Sequence, residues 1–279
     1  MSNFETHLPG VSPLLVVTAF MVLPGAFLGA QLEAQDAPPP LAGVQSTARC
    51  PAPVPFGVGE RMDFEVRLGR LRVGEAQVQV LRVESVRGHR AYLLDWTLEG
   101  GIPLARVNDH YQSWMDVETL ASRRFVQDIH QIRRERLRHF ELYPEEGWYE
   151  RVDAQVEYDL VSDRPLDDVS FVFYARTLDL EVGDTITLNR YFREHGNPVT
   201  LEVLRREEIE VPAGTFQAMV IRPVIQSRGL WDEDSEAEVY ISDDPDRLIL
   251  RVTTRVPIIG SLSLHLRDAR AGLRLVGNC

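Results

Sequence analysis

Few residues in this chain are spaced for chemistry. Asp128 and His130 stand two apart, and so do His139 and Glu141. Alternate side chains share one face of a β-strand, so each pair would set an imidazole beside a carboxylate. That combination serves metal ligation or proton transfer. Neither pair belongs to a metal motif such as H-E-x-x-H, and solvated strand faces are the plainer expectation. Asp109, His110, Ser113 and Asp116 supply the residue types of a nucleophilic triad. Triads assemble in space rather than along the chain, and no G-x-S-x-G is present. In the same segment, Tyr111 and Trp114 are expected on an inner face near a pocket mouth. Asp232, Asp234 and Glu236 place carboxylates two apart within WDEDSEAE and would suit calcium, although the glycine of a calcium loop is missing. An exposed acidic hairpin is the alternative. Gly69 and Gly183 stand alone and cradle no phosphate. No cofactor is expected.

These residues would be carried by strands. From Phe56 to Val83, Met62, Phe64, Val66 and Leu68 alternate with Asp63, Glu65 and Arg67. Gly69-Arg70 breaks the run, and Ala76, Val78 and Val80 then alternate with Glu75, Gln77 and Gln79. This period of two predicts a hairpin with one dry and one wet face, and the slip of phase at Gly74 predicts a bulge. Similar runs follow at Tyr92–Leu98, Val107–Met115, Arg124–Ile132, Leu137–Tyr143 and Trp148–Val152. Beyond Gly183-Asp184 they resume. Ile186, Leu188 and Phe192 form one run, Val199–Val203 another, and Ala218–Val224 is apolar on both faces. Val239 and Ile241, Leu248–Val256 and Leu262–Leu266 complete the series. Between the two sets, Pro165-Leu166-Asp167-Asp168-Val169-Ser170 predicts a short helix capped by Asp167 or Asp168. About a dozen strands with tight turns predict a mainly β, antiparallel, strongly curved single domain: half-barrel, barrel or sandwich, with one or two short helices. The aromatics Phe64, Tyr92, Trp96, Phe171 and Phe173 are expected in its core.

Composition restricts the partners. The net charge is −12, and all thirty basic residues are Arg. An acidic chain is a poor match for nucleic acid or an anionic membrane surface. Residues 1–30 contain the apolar run VSPLLVVTAFMVLPGAFLGA, which reads as a signal peptide or, alternatively, an N-terminal anchor. Membrane contact is expected only through that segment. Residues 31–55 form a Pro-rich linker, and residues 56–279 the folded domain. An exported chain, in the periplasm or cell envelope, would oxidise its two cysteines, Cys50 and Cys279. A bridge between them would tie together the ends of the domain; two separate thiols are the alternative.

The spaced motifs together are similar to the bacterial domain-of-unknown-function family 3108. The residues that carry the resemblance are Phe56-Gly57-Val58-Gly59-Glu60; Asp109-His110-Tyr111-Gln112-Ser113-Trp114-Met115-Asp116; Asp168-Val169-Ser170 through Arg176; Glu208–Phe216; and Ile241-Ser242-Asp243-Asp244. The resemblance implies an exported, β-rich envelope protein and brings no catalytic residues with it. Such sheets are similar in kind to the half-barrels of the LolA/LolB lipoprotein carriers, which hold acyl chains, although fold alone does not fix function. The expectation is therefore a non-catalytic protein that binds a lipid or other hydrophobic small molecule on the apolar face made by Phe64, Val66, Tyr92, Trp96, Tyr111, Trp114 and Leu264. An envelope assembly protein, docking a partner through sheet edges or the acidic hairpin, is the alternative.

Overall fold

A computed structural model of the chain describes residues 52–102, 105–131, 134–225, 237–256 and 260–275. Among them, 14 strands form one antiparallel sheet that curls without closing. The first ribbon runs β1 (Arg61–Leu68), β2 (Leu71–Val86), β3 (His89–Ile102), β4 (Ala105–Asp116), β5 (Ser122–Gln131), β6 (Arg134–Tyr143), β7 (Trp148–Arg151) and β8 (Val156–Asp159). The helix α1 (Asp168–Ala175) follows. The second ribbon runs β9 (Thr185–Leu188), β10 (Val199–Val211), β11 (Gly214–Ile225), β12 (Glu238–Ser242), β13 (Ile249–Val256) and β14 (Gly260–Arg270). Each strand pairs with the next in its ribbon, and β14 pairs with β1. The ribbons thus join in the middle and leave β8 and β9 as the edges. Of the architectures the alternation allows, the chain forms the open, curved sheet rather than two stacked sheets.

The alternation in β1 and β2 does what its period demands. Met62, Phe64, Val66, Ala76, Val78 and Val80 are buried on one face. The bulge falls where the phase slips: Val66 faces Gly74 and Arg67 faces Arg72, so Val73 is the extra residue. Gly74 also has a packing role. A Cβ there would lie 2.3 Å from the Glu99 carbonyl oxygen of β3, a distance that only glycine permits.

Asp167, one of the two expected caps, is the one used. Its Oδ1 accepts from the backbone N–H groups of Val169 and Ser170, each at 2.9 Å, and Ser170 Oγ accepts in return from the Asp167 N–H at 2.8 Å. This reciprocal capping box starts a helix that packs on the inner face of the sheet against β3 and β4. Two strand expectations need correction. Phe192 is not part of β9, which ends at Leu188. The chain there turns to pair with Leu166, and Phe192 crosses the inner face to meet Phe125, Phe140 and Tyr149 with ring centroids 6.3, 5.3 and 5.1 Å away. β8 lies outside the expected runs: Val156-Glu157-Tyr158-Asp159 alternates over four residues only, and all four are exposed.

A buried ion pair holds one end of the curved sheet together. Arg176 Nη1 and Nη2 donate to Glu60 Oε1 and Oε2 at 2.6 and 3.2 Å. The same guanidinium reaches the carbonyls of Asp246 and Arg247, at 3.0 and 2.8 Å, and lies over the rings of Phe56 and Phe173. Beside it the two ends of the domain meet, with Val58 and Leu273 exchanging backbone hydrogen bonds of 3.0 and 2.8 Å. The expected partners in a bridge, Cys50 and Cys279, lie outside the described residues, as do the expected signal segment and most of the linker. Removing one partner of a buried pair strands the other charge. Glu60→Leu should therefore cost about 3–5 kcal/mol in urea unfolding, and Glu60→Leu/Arg176→Met should recover part of that loss. A single-variant cost below about 1 kcal/mol would contradict the role given to the pair.

Candidate functional site

The inner face of the sheet is apolar over β14, β1, β2 and β3; over β4, β5 and β6 polar groups stand among apolar ones such as Met115, Phe125, Ile129, Phe140 and Leu142. Phe64, Val66, Tyr92, Trp96, Tyr111 and Leu264 all fall in one core cluster, as the sequence predicts. Trp114 does not. It packs with Val86, Ala91 and Leu93 on the opposite face, where its indole N–H bonds Glu84 and Arg124 lies 5.2 Å above the ring. Tyr111 and Trp114 are three residues apart, and an odd separation on a strand puts two side chains on opposite faces.

The apolar wall is buried along its length, most completely at one end. Met62, Val80, Leu94 and Leu266, toward α1, are 0% exposed. Further along the same strands Val66 is 4%, Leu264 5%, Leu98 4% and Trp96 6% exposed. Leu68 beyond them is half-buried. Leu68, Ile102, Gln131, Ile225 and Val256 all end their strands on this second side, as the antiparallel pairing requires. Tyr92 belongs to the sealed side. Its ring meets Phe56 edge-on at 5.5 Å, and burial pushes its phenol up to about 12.

The polar wall contains groups that the sequence reading passed over. Val78, Trp96, Tyr111, Gln127 and Arg138 are successive cross-strand partners in one row. Gln127 Nε2 donates to Asp168 Oδ2 at 3.0 Å, and the Tyr191 hydroxyl donates to Asp168 Oδ1 at 2.8 Å. Burial raises the Asp168 carboxyl to about 7, against the opposing pull of the Arg193 charge and the Tyr191 bond. Asp167 accepts from Ser113 Oγ at 2.6 Å and from Ser122 Oγ, yet burial still holds its carboxyl above the usual range. Asp109 is likewise raised by burial; it accepts from Tyr111, Gln131 and the His130 backbone at 3.3, 2.8 and 3.0 Å. A signal for this wall was available. Gln127 stands in phase with Phe125 and Ile129, and Arg138 with Phe140, so each is a polar residue at a dry-face position.

The triad types are not brought together. Asp109 and Ser113 face inward, whereas His110 faces outward and bonds Asp95 Oδ1 at 2.6 Å. Asp116 caps a turn through the N–H groups of Glu118 and Thr119, at 2.9 and 2.8 Å, and bonds Arg123 at 2.6 Å. Asp128 and His130 pair at 2.8 Å, about half exposed on the outer face. His139 meets Glu141 at 2.8 Å, but Arg124 and Arg87 engage the same carboxylate. Asp232, Asp234 and Glu236 lie outside the described residues. Among the described residues no group of three or more His, Cys, Asp or Glu side chains is gathered to hold a metal ion.

Comparison with known proteins places this architecture. The family model described as a protein of unknown function, DUF3108, matches residues 63–267. The chain belongs to that family. No curated protein matches it. Among solved structures, it is similar to the beta-barrel-like protein of domain of unknown function DUF1849 from Brucella abortus, at 11% identity and a TM-score of 0.52, covering 77% of this chain and 98% of that one. That likeness establishes a shared barrel-like fold. A proposed lipoprotein of Parabacteroides distasonis matches at 12% identity and a TM-score of 0.35, over 80% of this chain and 100% of its own. A proposed exported protein with a YmcC-like fold from Bacteroides fragilis matches at 11% and 0.31, over 79% and 100%.

The polar wall has a pH signature. A carboxyl whose folded value is raised binds more protons folded than unfolded, so its contribution to stability falls as pH rises from about 4 to 7. Asp168→Asn removes that loss. The stability of the variant relative to wild type should therefore improve from pH 5 to pH 7.5, by about 2 kcal/mol as an upper bound. Parallel urea titrations at the two pH values check this, and an unchanged or declining difference would contradict the buried, raised carboxyl.

Proposed function

We propose that this chain is an exported, non-catalytic binding module of the periplasm or cell envelope, which holds a lipid or other hydrophobic small molecule on the inner face of its curved sheet. The observation that carries the reading is the continuous apolar inner face of a curved sheet that does not close, with Met62, Phe64, Val66, Trp96, Leu98 and Leu264 in one cluster. Met62, Val80 and Leu94 are fully enclosed, and Val66, Trp96, Leu98 and Leu264 are 4–6% exposed. A concave apolar wall is the usual setting for a hydrophobic ligand. The wide separation of His110 from Ser113, on opposite faces, and the pairing of Asp95 and Glu141 with several neighbours favour structural roles for these residues over catalysis. The net charge of −12 argues against a nucleic-acid partner.

A second reading is supported at one edge. β8 is exposed along its length, and Val156 and Tyr158 are among the exposed large hydrophobics. An unpaired, partly apolar edge strand suits strand addition by a protein partner in the envelope.

Mass spectrometry of lipids extracted from detergent-free protein tests the first reading, with Trp96→Arg and Leu98→Asn measured beside the wild type. We expect a stoichiometric acyl-chain ligand in wild type and its loss in whichever variant keeps the β-rich circular dichroism spectrum. Wild-type protein devoid of any such ligand would contradict it.

A further inference from the structure

Four half-buried arginines bury a donor that meets no acceptor, Arg138, Arg193, Arg247 and Arg251, and the first two stand together on the polar wall. Arg176 is fully paired with Glu60, and Arg123 with Asp116 and Glu145. Arg138, on β6, and Arg193, on the segment after β9, are half-buried, and neither makes an ion pair among the described residues. Each also buries a donor that meets no acceptor: Nε of Arg138 and Nη2 of Arg193. The two charges lie close enough to oppose each other, since Arg138 is lowered first by burial and next by Arg193. The nearby carboxylate, Asp168, is already engaged by Tyr191 and Gln127.

The setting favours a ligand over a stranded charge. The Arg193 guanidinium lies over the rings of Phe140 and Phe192, at 4.8 and 4.7 Å. Stacking on an aromatic face fixes a guanidinium while leaving its in-plane N–H donors free for a planar or tetrahedral anion. Arg138 stands in the same cross-strand row as Trp96, three strands away. Strands about 4.8 Å apart put the two roughly 14 Å from each other along the sheet. Gln127 and Tyr111, between them in the row, are 0% and 1% exposed, so an anionic head at Arg138 and Arg193 with its acyl tail toward Trp96 and Leu98 would displace the packing over these two residues.

We propose that Arg138 and Arg193 receive the anionic head, carboxylate or phosphate, of a single-chain amphiphile whose tail occupies the apolar wall. This rests on the reading of the inner face as a ligand site. The experiment is calorimetric titration of delipidated protein with dodecanoate, dodecyl phosphate and dodecanol below their aggregation concentrations. At least one anion should bind tenfold or more tightly than dodecanol, and the tighter of the two identifies the head as carboxylate or phosphate. In Arg138→Gln/Arg193→Gln the anions should fall to the affinity of dodecanol, and Arg138→Lys/Arg193→Lys should restore part of the preference. Equal binding of all three ligands by wild type, or a preference that survives in the Gln variant, overturns the inference while leaving the hydrophobic site standing. Binding of none overturns both.

Discussion

The arrangement depends on one charge pair that water does not reach. Glu60 precedes β1, Arg176 closes α1, and the two carbonyls that Arg176 also binds belong to the turn between β12 and β13. A guanidinium removed from water must have its donors met, and here a carboxylate, two carbonyls and two aromatic faces meet them. The geometry that satisfies this one group also sets α1 across the inner face and pins Phe56 against Tyr92 and Phe173. Without it the C-terminal end of the eight-residue helix loses its polar anchor and is held by apolar packing alone, while Asp167 and Asp168 still tie down the N-terminal end. The sealed end of the curved sheet is thus a consequence of satisfying Arg176.

Once one end is sealed, the two faces divide the work. The outer face is lined by ion pairs two residues apart on the same strand, such as Arg61 with Asp63, Arg82 with Glu84 and Arg205 with Glu207. Such pairs add little stability at an exposed surface, but they keep a broad sheet wet on that side. The inner face is dry over β14 to β3 and carries polar groups among apolar ones over β4 to β6. The polar part is almost fully hydrogen-bonded around Asp109, Asp167 and Asp168, which is why three buried carboxyls are tolerated there. Arg138 and Arg193 are the exception, each burying a donor that meets no acceptor.

Much of this was legible in the sequence where a local pattern carried it. The period of two in Met62–Val80 predicts the central hairpin and its bulge, and Asp167 with Ser170 predicts the cap of α1. The pattern fails where its cause is not local. Glu60 and Arg176 are 116 residues apart, and nothing in either segment announces the other. Val156–Asp159 alternates over four residues only and buries none of them, so β8 gives too short a pattern to stand out. Phe192 extends the alternation of Ile186 and Leu188 by chance of spacing, while its backbone is drawn away by pairing with Leu166. Trp114 is expected on the inner face with Tyr111, and strand geometry puts it on the other. Gln127 and Arg138 are legible as polar residues in a dry phase; the Asp168 carboxylate that Gln127 meets and the Arg193 charge beside Arg138 are not.

The central claim is that an acyl ligand reaches the apolar wall at Trp96. Of the four tryptophans, Trp96 alone lies in the inner-face core cluster among the described residues. Replacing Trp114, Trp148 and Trp231 with Phe leaves it as the sole indole emitter. Titration of that variant with a chain-brominated dodecanoate should quench Trp96 saturably, near one ligand per chain, while bromide ion in solution should quench it poorly. An emission unchanged by the brominated chain would show that Trp96 sits in closed protein core, and the account of a ligand-holding face would fail.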